Sequence, residues 1–108
     1  MIDYLQAVKA TAELKDVISK RINDRIKYIA DKSDNAIIRM KIVFKNDYSL
    51  VVISGNVTNT DNDKPFEIGT VGKNKRLENN ILYFNENTKG FLTQNEVFYE
   101  VFKLSGMK

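Results

Sequence analysis

The sequence predicts an α+β fold: a long N-terminal helix packed on a four-stranded, mainly antiparallel sheet, with a short C-terminal helix, in the order α-β-β-β-β-α. Three observations predict it. Apolar residues recur at helical spacing from residue 3 to residue 32 with no Pro or Gly between. Two Ile- and Val-rich runs, 36–45 and 48–54, flank Asn46-Asp47. Thr93-Gln94-Asn95-Glu96 reads as a capping box ahead of an apolar run.

The first helix is expected over 3–32, capped by Asp3 with Gln6 reaching back. Its buried stripe reads Tyr4, Val8, Thr11, Ile18, Ile22, Ile26 and Ile29, broken only by Lys15. Ala10, Leu14, Val17 and Tyr28 flank that stripe, and the opposite face alternates acid and base at spacings of three and four. Ser33-Asp34-Asn35 ends the run. A two-residue turn at Asn46-Asp47 would pair Lys45 with Tyr48. That register puts Ile38, Met40, Ile42, Phe44, Val51 and Ile53 on one face, and Leu50 and Val52 on the other.

Residues 55–64 are polar and rich in turn formers. Pro65 opens a third strand at 66–71, a basic turn follows at 72–76, and a fourth strand is expected at 80–85, with a turn over 86–90. Val97, Phe98, Val101, Phe102 and Leu104 then share a helical face. Glu96–Phe102 also has strong β propensity, so a strand competes with the helix there.

A chain of 108 residues with 43% hydrophobic content suits one α+β domain over 1–108 with a packed core. Its 29% charged residues are mixed in sign, the net charge is only +3, and no block is strongly basic, so most of that charge reads as solvated surface. The lack of Cys favours a reducing compartment, and the N-terminal decapeptide has no apolar run of the signal-peptide kind, so a cytoplasmic location is expected. No run approaches the ~20 apolar residues that span a bilayer. The abundance of Asn, Lys and Ile, with their A/T-rich codons, suggests a bacterial or phage origin.

Without His or Cys, Ser-His-Asp and Cys-His catalysis and the common zinc sites are excluded. Residues 59–63 imitate the start of a calcium loop, but Lys64 stands where Gly is required and Thr70 where Glu is required. Glu13-Leu14-Lys15 has the tripeptide pattern of metal-dependent nucleases, yet it falls within a helix, where the two side chains diverge. Gly69–Lys73 lacks the spacing of a phosphate-binding loop, and Lys89-Gly90-Phe91 matches only three positions of an RNA-recognition signature. No catalytic residue, cofactor or metal site is therefore expected.

The leading expectation is a non-enzymatic binding protein that acts through protein–protein contacts, as an accessory, regulator or inhibitor. Its basis is length: a helix over 3–32 would outrun the strands beneath it, and the surplus apolar surface would need a second copy or another protein to cover it. The candidate interface is Leu14, Val17 and Tyr28, with a homodimer as the simplest assembly. The runner-up is nucleic-acid binding through Lys73, Lys75 and Arg76, aided by Arg21, Arg25 and Arg39; a soluble hairpin tip is the simpler reading of that turn. A third reading is a small-ligand or nucleotide-binding protein with a pocket between sheet and helices.

Overall fold

A computed structural model describes residues 2–56, 58–71 and 88–107. The first helix, α1 (Tyr4–Ile22), is followed by a 3-10 turn at Asn23–Arg25. Five strands come next: β1 (Ile26–Asp34), β2 (Ile37–Phe44), β3 (Ser49–Gly55), β4 (Phe66–Val71) and β5 (Thr88–Leu92). The second helix, α2 (Gln94–Ser105), closes the order α-β-β-β-β-β-α. The strands form one antiparallel sheet in sequential order, β1-β2-β3-β4-β5.

The expected single helix over 3–32 is two elements. Asn23 and Asp24, which compete for backbone hydrogen bonds and favour turns, interrupt it after Ile22. Ile26–Asp34 then pairs with β2 along its length. The apolar spacing through Ile26 and Ile29 imitates a continued helix, but the ladder satisfies more backbone groups and gives the apolar strand β2 a neighbour on each side. Two residues, Asn35 and Ala36, make the β1–β2 turn, both with positive φ (51° and 61°) as a type I′ hairpin requires. Asp3 occupies the N-cap of α1 without a side-chain cap bond, so the expected Asp3–Gln6 box does not form there. A helix of 19 residues spans roughly 28 Å, close to the roughly 27 Å of an eight-residue strand such as β2. The overhang expected from sequence is absent.

The β2–β3 connection has three residues. Phe44 N donates to Tyr48 O (2.9 Å) and Asp47 N to Phe44 O (3.0 Å), with Asp47 left-handed at φ 70°. This shifts the register by one from the expected pairing, so Val52 lies opposite Met40 and Leu50 opposite Ile42. Leu50 and Val52, not Val51 and Ile53, therefore join Ile38, Met40, Ile42 and Phe44 on the helix side of the sheet. At the far end of this hairpin Gly55 takes φ 115°, and a Cβ there would collide with the carbonyl of Ala36.

The core lies between that face and the two helices, which sit side by side. Leu14, Ile18 and Ile22 of α1 and Val97, Val101 and Leu104 of α2 pack on Met40, Ile42, Phe44, Leu50, Val52, Phe66 and Ile68. The buried positions of α1 are Ala7, Thr11, Leu14, Ile18 and Ile22. Relative to the expected stripe, the helix is rotated: Leu14 is central, while Tyr4 and Val8 are exposed. β5 begins inside the turn expected at 86–90 and runs past it to Leu92, and the strand expected at 80–85 lies outside the described residues. The α2 capping box forms in full, which decides residues 94–105 for helix. Among the described residues no helix is long and apolar enough to cross a membrane.

Candidate functional site

Val97, Val101 and Leu104 are the buried residues of α2, at spacings of four and three, and Phe98 packs against the edge of the same core. Phe98 and Phe102 each stand one position beyond that stripe, on the border between α2 and α1. There they meet the basic end of α1. The guanidinium carbon of Arg21 lies 4.4 Å from the centre of the Phe98 ring, and that of Arg25 lies 4.8 Å from the centre of Phe102. The two rings are 6.4 Å apart and tilted by 34°. Arg21 also sits in the last turn of its helix, where the backbone dipole favours a cation.

Each stack contributes on the order of 0.5–1 kcal/mol at such exposure. It also holds a long side chain in one position before any partner arrives. A guanidinium over a ring can keep N–H donors available at its edge. Arg25 Nη1 uses one of them for a long contact to Ser105 Oγ, 3.4 Å. Among the described residues neither arginine forms an ion pair with a carboxylate.

Around this ladder lies apolar surface that the fold leaves in solvent. Tyr99 is 60% exposed, and Phe102 and Met107 are each 48% exposed. Lys103 Nζ sits 4.7 Å from the centre of the Tyr99 ring. Glu100 is held between Lys89 (3.2 Å) and Lys103 (3.3 Å), so its charge is already neutralised. The C-terminal end of the surface is fastened from below: Asn46 Nδ2 donates to Leu104 O at 2.9 Å and to Met107 O at 2.8 Å. The seam thus presents aromatic anchors and fixed arginines, the residue types that concentrate binding energy at interfaces.

A second concave feature opens on the other flank of α1. The helix packs over β2 and β3, leaving the inward side of the edge strand β1 largely uncovered. A groove of about 600 Å³ results, lined by Val8, Thr11 and Ala12 of the helix and by Asp31, Ser33 and Ile38 of the sheet. Two contacts bridge it: Tyr4 Oη with Ser33 Oγ (2.8 Å), and Lys15 Nζ with Asp31 Oδ2 (3.0 Å). Thr11 is 6% exposed, and its buried hydroxyl oxygen has no hydrogen-bond partner. Lys15, expected to interrupt the apolar stripe of a longer helix, is instead a rim residue that ties α1 to β1.

The residues proposed from sequence as one interface are separated. Leu14 is fully buried in the core, Val17 is half-buried, and Tyr28 is 47% exposed on the opposite face of the sheet, beneath the Lys41 ammonium at 5.8 Å. Leu14 is unavailable to a partner because the helix is rotated towards the sheet; Tyr28 parts from α1 because residues 26–34 form a strand. Of the arginines considered for polyanion binding, Arg21 and Arg25 are brought together at the seam. Arg39 lies on the far sheet face, directly opposite Lys32. Lys73, Lys75 and Arg76 lie outside the described residues. The calcium-like segment is a turn in which Asp61 Oδ1 accepts from Asp63 N (3.0 Å) and Lys64 N (2.6 Å).

Sequence reasoning placed Phe98 and Phe102 on one helical face with Val97, Val101 and Leu104; Phe98 does pack against the core, and what was missed is that both rings also meet arginines from the end of α1. The available signal was that Val97, Val101 and Leu104 already complete an inward stripe, with Phe98 and Phe102 displaced to one side of it. No family model matches this chain, and neither a curated protein nor a solved structure matches it.

Proposed function

We propose that this protein is a non-enzymatic binding protein that engages another protein through the α1–α2 seam. The observation that carries the reading is the pair of arginines stacked on Phe98 and Phe102 beside exposed Tyr99 and Met107. Exposed aromatic surface next to immobilised arginines is costly to leave in water and well suited to a desolvated contact. The cysteine-free composition supports cytoplasmic residence as part of this reading. A homodimer built on surplus helix length has lost its basis, since α1 matches the sheet.

The test is a photo-crosslinking amino acid placed at position 99, followed by titration calorimetry with the purified protein it captures. Binding that Tyr99→Ser with Phe102→Ser abolishes, while circular dichroism retains the fold, supports the seam. Crosslinks obtained only from a probe on the opposite face, at position 28, would reject it.

A second reading, small-ligand binding, is favoured by the groove between α1 and β1, because the Thr11 hydroxyl is buried there without a partner. A rise in melting temperature across a metabolite panel that disappears in Ala12→Phe would support it.

A further inference from the structure

Within the reading of the α1–α2 seam as a protein-binding surface, we infer that the segment it takes is an acidic amphipathic helix carrying two carboxylates one turn apart. The inference rests on the spacing, charge and occupancy of the seam. Arg21 and Arg25 are held over rings whose centres are 6.4 Å apart. Residues three or four apart on a helix have their Cβ atoms roughly 5–6 Å apart, close to the 6.4 Å between the two rings that carry the guanidiniums. Each guanidinium, placed over its ring, has N–H donors that suit a carboxylate in the paired geometry that arginine favours.

Charge points the same way. Arg21 and Arg25 have no carboxylate partner among the described residues, whereas the neighbouring Glu100 is satisfied by Lys89 and Lys103. The uncompensated charge of the seam is therefore positive. Tyr99, Phe102 and Met107 beside it supply the apolar contact that one flank of an amphipathic helix needs.

Single-stranded nucleic acid shares the anionic chemistry but fits less well. Bases bind by stacking on free aromatic faces, and here cations already cover one face each of Phe98, Tyr99 and Phe102. The arrangement favours carboxylates at the guanidinium edges over bases on the rings.

Fluorescence anisotropy tests the inference with a labelled 16-residue helical peptide carrying Glu at two positions four apart, flanked by Leu. The same peptide with Gln in place of Glu, and a single-stranded RNA of equal charge, serve as comparisons. Wild-type protein should bind the acidic peptide at least about tenfold more tightly than its Gln counterpart and than the RNA. Arg21→Gln with Arg25→Gln should remove that preference, while Lys41→Gln, on the far sheet face, should retain it. The peptide comparison uses wild-type protein only, so it stands even if the double variant is less stable. Equal binding of the Glu and Gln peptides, tighter binding of the RNA, or full retention by the double variant would overturn the inference. A non-acidic protein captured at position 99 would also overturn it, while leaving the seam itself as the binding surface.

Discussion

The side-chain amide of Asn46 reaches the carbonyl oxygen of Leu104 at 2.9 Å, joining the β2–β3 turn to the last turn of α2. The same nitrogen donates to Met107 O at 2.8 Å, and the Oδ1 of Asn46 accepts from Tyr48 N at 3.1 Å. A single polar side chain thus closes its own turn and fastens the end of a helix distant in sequence, adding to the backbone bonds that Leu104 O already accepts from Gly106 and Met107.

Asn46→Ala should therefore lower stability by about 1–2 kcal/mol in a urea melt, since it removes both donations and the turn contact. Asn46→Asp should cost more, because it sets a carboxylate against two carbonyl oxygens. If the two variants melt together near wild type, Asn46 does not anchor α2.

Ala36 is held at φ 61°, where an L-residue with a Cβ is strained. Ala36→Gly creates Asn-Gly, the preferred pair for a type I′ turn, and should raise stability by about 1 kcal/mol. Equilibrium denaturation of the two proteins checks this; a loss of stability would show that the turn does not hold its left-handed geometry in solution.

Glu96 closes the capping box by accepting from Thr93 N at 3.0 Å, and the Thr93 backbone and side-chain hydrogen bonds hold its carboxyl below the usual glutamate range. A carboxyl with a depressed folded-state pKa adds stability that is complete above its unfolded pKa and is lost as pH falls through the folded value. The box should thus weaken at the acidic end of that range and stay unchanged near neutrality. Glu96→Gln should flatten this contribution to the pH profile, measured as melting temperature against pH, while Thr93→Ala should cost about 1 kcal/mol at neutral pH.

Thr11 carries a buried hydroxyl without a partner at the inner edge of the α1–β1 groove. Thr11→Val replaces it with a methyl and should raise stability by about 1 kcal/mol, because an unpaired buried hydroxyl carries a desolvation cost. Leu14→Ala, three positions on and fully buried, should lower it by roughly 2–5 kcal/mol. A Thr11→Val protein that is less stable would mean that the hydroxyl finds water in the adjacent groove.

By itself the amino-acid sequence determined the fold class, the β2–β3 hairpin and the strand after Pro65, and it marked the cap of a C-terminal helix with which a strand still competed. Each rests on local chemistry: β-branched runs, turn formers, and a Thr-Glu pair that satisfies its own backbone. Tertiary structure decided the rest. Ile26 and Ile29 suit a helix and a strand equally, and only pairing with β2 made 26–34 a strand. The rotation of α1 that buries Leu14 and exposes Val8 follows from which sheet face it meets. One additional residue in the Lys45–Asp47 loop put Leu50 and Val52 on the core side in place of the expected Val51 and Ile53, because strand faces alternate with a period of two. The seam was the least legible feature. Arg21 and Phe98 are far apart in the chain, and neither side chain indicates on its own that it will stack on the other. Their meeting depends on α2 lying beside α1 on one face of the sheet, a placement set by the whole core rather than by either segment.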